Sequence, residues 1–171
     1  MLKTVIVASS VMVGAAYMAG DALRDAIAVG VRPQQPTVVA RAEPEQSNAG
    51  SVSLRADADG HFRVDASIGS RKVPMLVDTG ATVVALSFEN GQRLGLVSAN
   101  DRFDARVSTA NGSVGAKRVV LRDVTIGSVR ITDVPAVVLS QGAMDGALLG
   151  MSFLGRLRRL ETSRDKLVME R

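Results

Sequence analysis

Asp78 is the residue of this sequence best placed to do chemistry. It stands in Asp78-Thr79-Gly80-Ala81, directly between two apolar runs, Met75-Leu76-Val77 and Val83-Val84-Ala85-Leu86. A carboxylate at such a junction loses hydration, which is costly unless something requires it there. Carboxylates work as general acids and bases. The competing account is a plain turn, since Asp and Gly both favour tight corners. Three common residues do not decide between the two, and the choice rests on their context.

Other candidate sites fail on their own terms. The 171 residues include no Cys, no Trp and a single His, with aromatics at 3%. A disulfide framework, a thiolate metal site and a thiol nucleophile are therefore excluded. His61 has no G-x-S-x-G elbow to serve as the base of a hydrolase triad. Asp57-x-Asp59-Gly60 echoes a calcium loop, but Ile68 stands where the closing glutamate belongs, so a hairpin turn is the reading. Gly112-x-x-Gly115 lacks the strand-to-helix setting of a phosphate cradle. Arg156, Arg158 and Arg159 read as cations at a helix C-terminus. The net charge of +4 carries little. Residues 1–52 balance Lys3, Arg24, Arg32 and Arg41 against Asp21, Asp25, Glu43 and Glu45, and the remaining excess is scattered. No basic stripe interleaved with aromatics is present, so no nucleic-acid partner is expected.

The elements that must position Asp78 are short strands. Ser53 to Ala58 runs into Asp59-Gly60, a hairpin signal. Phe62, Val64, Ala66 and Ile68 alternate with polar residues, and Gly69-Ser70 turns the chain into Val73 to Val77. Val83 to Leu86 follows the Asp78 corner, and a helical turn or two is expected from Phe88 to Leu94, opened by Ser87 and closed by Gly95. Phe103 to Ala110 and Val114 to Leu121 flank Asn111-Gly112, a second hairpin signal. Val124 to Ile131 and Val134 to Leu139 read as strands, Met151 to Leu157 as a short helix, and the surroundings of Leu160 and Leu167 as two brief strands. Such spacing predicts an all-β barrel or sandwich over residues 52–171.

Two segments precede it. Residues 1–31 carry an uncharged run from Thr4 to Gly20 behind Lys3, at the lower limit for a spanning helix and slightly long for a signal core. A cleavage site is poorly supported, because Tyr17 would fill a small-residue position. The expectation is an N-terminal hydrophobic helix kept as a single-pass inner-membrane anchor with the domain in the periplasm; secretion to the periplasm after signal cleavage is the alternative. Residues 32–51, with Pro33, Pro36 and Pro44 among polar residues, read as a flexible linker.

The Asp78-Thr79-Gly80-Ala81 corner after an apolar strand, Asn111-Gly112 between two later strands, and Leu148-Leu149-Gly150 before the C-terminal helix together resemble the retropepsin-like aspartic protease family. The resemblance covers roughly residues 51–171 and is nearest to bacterial membrane-anchored or periplasmic single-domain members. It implies a retropepsin-like acid protease β-barrel protomer with one short C-terminal helix, and an aspartic endopeptidase needing no cofactor or metal. Asp78 would be catalytic. Thr79 would lock paired loops, Gly80 would let the backbones approach, and Ala81 would line the cleft. Asn111, Gly112 and Ser113 would form the tip of a flap over an extended polypeptide substrate, with Leu148, Leu149 and Gly150 supporting the site.

Peptide hydrolysis without a metal or covalent nucleophile needs one group to activate water and another to protonate the leaving side. Paired carboxylates do both by sharing a proton, as in aspartic proteases. Only one D-T-G is present, and Asp123, Asp133 and Asp145 lack that setting. The resemblance therefore implies a homodimer in which each copy lends its Asp78. The rival reading is a non-catalytic periplasmic β-barrel peptide-binding module in which D-T-G is only a turn.

Overall fold

The computed structural model describes residues 46–109 and 112–171. The N-terminal hydrophobic segment, most of the expected linker and Asn111 lie outside the described residues. Among the described residues, eleven strands and two short helices follow in chain order: β1 (Gln46–Asn48), β2 (Ser51–Arg55), β3 (Arg63–Ile68), β4 (Arg71–Val77), β5 (Val84–Leu86), α1 (Phe88–Arg93), β6 (Ala105–Thr109), β7 (Gly112–Ile126), β8 (Val129–Leu139), β9 (Ala147–Leu149), α2 (Met151–Leu154), β10 (Arg159–Thr162) and β11 (Lys166–Glu170). β1 falls within the stretch read as linker.

Strand order in the larger sheet is β3-β4-β9-β5-β8-β7-β6, and β3 also pairs with β7 through Ser67↔Thr125 and Ile68↔Val124. That second pairing closes six strands into a barrel and leaves β6 as an appended outer strand. The alternation seen in β3 has its expected cause: Val64, Ala66 and Ile68 point inward and are buried. Burial of the Val64 and Ile68 side chains contributes about 1.5–3 kcal/mol each. Phe153, Leu86, Leu121 and Leu149 fill the barrel.

The smaller sheet has the order β1-β2-β11-β10, all antiparallel. One face is apolar, with Val52 and Leu54 from β2 and Leu167 and Met169 from β11 buried in the same core as the barrel residues. β10 carries charge along the outer edge, where Arg159 pairs with Glu161 and with Glu170. Charge on an edge strand discourages pairing with another chain.

Three expectations are corrected. Asp59-Gly60 does make a tight turn, with Gly60 N–H donating to Asp57 O at 2.9 Å. The strands on either side then part into different sheets, so β2 and β3 are not a hairpin. The stretch Val124 to Ile131 is not one strand: Gly127, at φ +53°, turns the chain between the long antiparallel partners β7 and β8. Glycine adopts this left-handed conformation without a Cβ clash. Finally, α2 stops at Leu154, because Gly155 caps it and the chain turns to enter β10.

Candidate active site

The site begins where β4 runs out. β4 pairs in parallel with β9, Leu76 beside Leu148 and Val77 beside Leu149, and the ladder extends one bond further as Asp78 N–H donates to Leu149 O at 3.1 Å. β9 also pairs with β5, so a strand from late in the sequence is inserted between β4 and β5. The chain between them, residues 78–83, is thereby held open as a loop at the barrel's edge. Gly80 N–H donates to Asp78 Oδ1 at 2.8 Å, and Ala81 N–H donates to Asp78 O at 3.3 Å. The aspartate thus shapes its own turn with one carboxylate oxygen. Among the described residues, no donor reaches Oδ2.

Gly150 fastens this loop from beneath. A Cβ there would lie 2.2 Å from Val83 O and 2.7 Å from Ala81 O, so only glycine allows the two segments to meet. The next residue, Met151, donates its N–H to Ala81 O at 2.8 Å. Ser152 Oγ accepts Val84 N–H at 2.9 Å and donates to Pro135 O at 2.6 Å, linking α2 to β5 and β8 at once. Phe153 and Leu154, both buried, root the short helix in the core. Leu148-Leu149-Gly150 is therefore brought directly against the Asp78 loop.

Over the loop lies a cavity of about 480 Å³. Asp78, Gly80 and Ala81 form part of its floor, and Leu148 joins them; Val107, Ser108 and Thr109 of β6 overhang it. Ala85, Val137, Leu139 and Met144 make apolar walls. Asp78 is the one ionisable side chain among the lining residues. It is half-buried, whereas Thr79 and Gly80 are exposed. The hairpin expected from Asn111-Gly112 is present but shifted: Gly112 and Ser113 are strand residues of β7, paired with Thr109 and Ser108.

Remaining charged candidates are accounted for elsewhere. Arg63 bridges Asp57 at 2.5 Å and Asp59 at 2.7 Å, with His61 Nδ1 at 3.2 Å from Asp59. The Arg63 guanidinium, and then the His61 backbone N–H, hold the Asp59 carboxyl well below the usual carboxylate range. This cluster braces the turn before β3. Arg156 donates to Thr132 O at 2.5 Å, tying the chain after α2 to β8 rather than facing the end of its helix. Among the described residues, no group of three or more His, Asp or Glu is placed to hold a metal ion.

Sequence reasoning passed over Ser152 and the cavity walls. Ser152 carries a weak signal, a hydroxyl in an otherwise apolar Met-Ser-Phe-Leu turn directly after Gly150. The wall residues carry none, because Ala85, Leu139 and Met144 converge only through the barrel's closure.

Residues 64–156 match the family model described as "gag-polyprotein putative aspartyl protease". That span runs from β3 through α2 and contains every element just described around Asp78. Among solved structures, the crystal structure of a retropepsin-like aspartic protease from Rickettsia conorii is similar with a TM-score of 0.63 and 32% identity, covering 70% of this chain and 89% of that one. An uncharacterized protein in the cobV 5′ region of Sinorhizobium sp is 37% identical over 138 residues, 81% of this chain and 58% of that protein. An uncharacterized protein of Rickettsia prowazekii (strain Madrid E) is 32% identical over 123 residues, 72% of this chain and 52% of that protein. The chain spans about half the length of these curated relatives. With a matching family model, a related solved fold, a closed six-stranded barrel and an aspartate held on an inserted-strand loop, this chain belongs to the retropepsin-like aspartic protease family.

Proposed function

We propose that the chain is an aspartic endopeptidase whose working site is completed by a second copy, each supplying Asp78. The observation that carries this reading is the isolation of one carboxylate on the floor of an otherwise uncharged cleft, beneath a hairpin. One carboxylate cannot be base and acid in the same step. Two brought to about 3 Å share a single proton, because both cannot be charged together. The charged member takes a proton from water as its oxygen attacks the peptide carbonyl carbon. The protonated member gives its proton to the carbonyl oxygen. Collapse of the tetrahedral species breaks the C–N bond, and the proton gained from water passes to the leaving nitrogen.

Exposure of Thr79 and Gly80 in the single copy fits a loop that a second copy covers. Ala81 and Leu148 would face the substrate backbone and side chains, while the β6–β7 hairpin would close over an extended polypeptide and exclude water. The setting we propose is a membrane surface facing the periplasm, through the uncharged run Thr4 to Gly20. Among the described residues, no helix is long and apolar enough to cross a membrane. Tethering would raise the effective concentration of protomers and favour the pair.

The test is Asp78→Asn in the full chain, assayed on a peptide library by mass spectrometry. Cleavage should fall by at least about a thousandfold, the scale of losing general acid–base catalysis, with an unchanged folded-state spectrum. Full activity in the folded variant would overturn the mechanism. Absence of cleavage by the native chain, with retained peptide binding, would instead favour the binding-module reading.

A further inference from the structure

The β7–β8 ladder ends at the pair Ala116 and Leu139. Beyond it, from Gly112 to Gly115, β7 is paired only with β6, and β6 is the outermost strand of its sheet. The strand segments 105–109 and 112–115 therefore project from the barrel wall as a lever, and Val107, Ser108 and Thr109 of β6 line the cleft. Its pivot is crowded. A Cβ on Gly115 would lie 3.1 Å from Phe103 O and 3.7 Å from Ser140 Cβ, and Ser140 N–H donates to Gly115 O at 2.9 Å. Phe103 in turn packs on Phe88 of α1, ring centroids 5.8 Å apart.

Lys117 lies one residue inside the last barrel pair. Its Nζ donates to Leu96 O at 3.2 Å and pairs with Asp101 Oδ1 at 3.1 Å. The other oxygen of Asp101 accepts Ser98 N–H at 2.6 Å, so the carboxylate also folds the loop it sits on. That loop feeds β6. One ammonium thus joins the root of β7 to the segment leading into β6, across the base of the lever. The pair is one-third exposed on both sides, so its contribution to global stability is small. A clasp so placed acts on where the hairpin points.

We infer that Lys117, through Asp101 and the Leu96 carbonyl, is a positioning residue that sets the angle of the β6–β7 hairpin over the Asp78 cleft. The inference rests on the peptidase reading for its kinetic consequence but not for its structural one. The test is the full chain carrying Lys117→Met, with Asp101→Asn, the double variant and Lys117→Arg beside it. Amide hydrogen exchange should quicken about tenfold over residues 105–115 and stay unchanged in β3, β4 and β11, since local opening is read segment by segment. With a cleavable peptide, KM should rise about tenfold while kcat holds within about twofold, as expected when closure rather than chemistry is disturbed. The double variant should be no worse than Lys117→Met alone, because that change already removes the ion pair. Lys117→Arg should restore native exchange and KM.

Exchange that quickens uniformly across the molecule would mark Lys117 as merely structural and overturn the inference, as would native exchange in Lys117→Met. A native chain without peptidase activity would overturn the enzyme reading alone, while the exchange measurement still decides the clasp.

Discussion

The floor and the roof of the cleft are built on different principles. The floor is sewn by two backbone bonds, Asp78 to Leu149 and Met151 to Ala81, and by the Ser152 hydroxyl that accepts Val84 N–H, with Gly150 admitting no side chain at all. Each of those bonds joins segments distant in sequence, and Leu149 and Phe153 beneath them are fully buried. The roof is a two-stranded hairpin whose ladder is local, and whose bond to the barrel passes through Gly115 and Lys117 at one end. On the proposed peptidase reading, a site that holds a carboxylate to within a fraction of an ångström and yet admits a polypeptide needs both kinds of construction. Stability should therefore reside in the floor, and substrate affinity in the roof.

Three substitutions would break or sharpen that contrast. The largest effect belongs to Gly150→Ala, whose new methyl would meet Val83 O and Ala81 O. Overpacking against backbone should cost about 3 kcal/mol or more, read as a lowered denaturation midpoint with cleavage lost. Next comes Ser152→Ala, which strands the N–H of Val84 and frees Pro135 O. It should cost about 1–3 kcal/mol in urea unfolding, since the donor left behind is largely shielded from water. Smallest in stability is Val107→Ala on the roof, within about 1 kcal/mol of native because the site is only half-buried. Its effect should appear in KM, and an unchanged KM together with a large loss of stability would dissolve the distinction.

Much of the floor is legible in the sequence, and much of the roof is not. Asp78-Thr79-Gly80-Ala81 between apolar runs and Leu148-Leu149-Gly150 before an apolar turn are local patterns with local causes. So are the ends of α1, where Ser87 Oγ accepts Asn90 N–H at 3.3 Å and Gly95 takes φ +71°. What no local pattern reveals is that β9 slides between β4 and β5, because that pairing joins residues some seventy positions apart in the chain. Alternation also hides turns: Val124 and Ile126 alternate with polar residues, as do Val129 and Ile131, and only the slip of phase across Gly127-Ser128 marks the turn between two strands. The hairpin register slips by one residue for a similar reason, since Gly112 at φ +113° serves as a strand residue paired with Thr109. Asp59-Gly60 shows the converse, a true turn signal whose flanking strands find partners elsewhere.

The central claim is that one working site draws Asp78 from two copies, and mixing tests it most directly. Native chain is combined with an equal amount of Asp78→Asn and left to exchange partners, and cleavage is compared with the same total of native chain. If both aspartates are needed, only native pairs work, and random pairing leaves about a quarter of the activity. If each chain works alone, about half remains, and the shared-site account is contradicted.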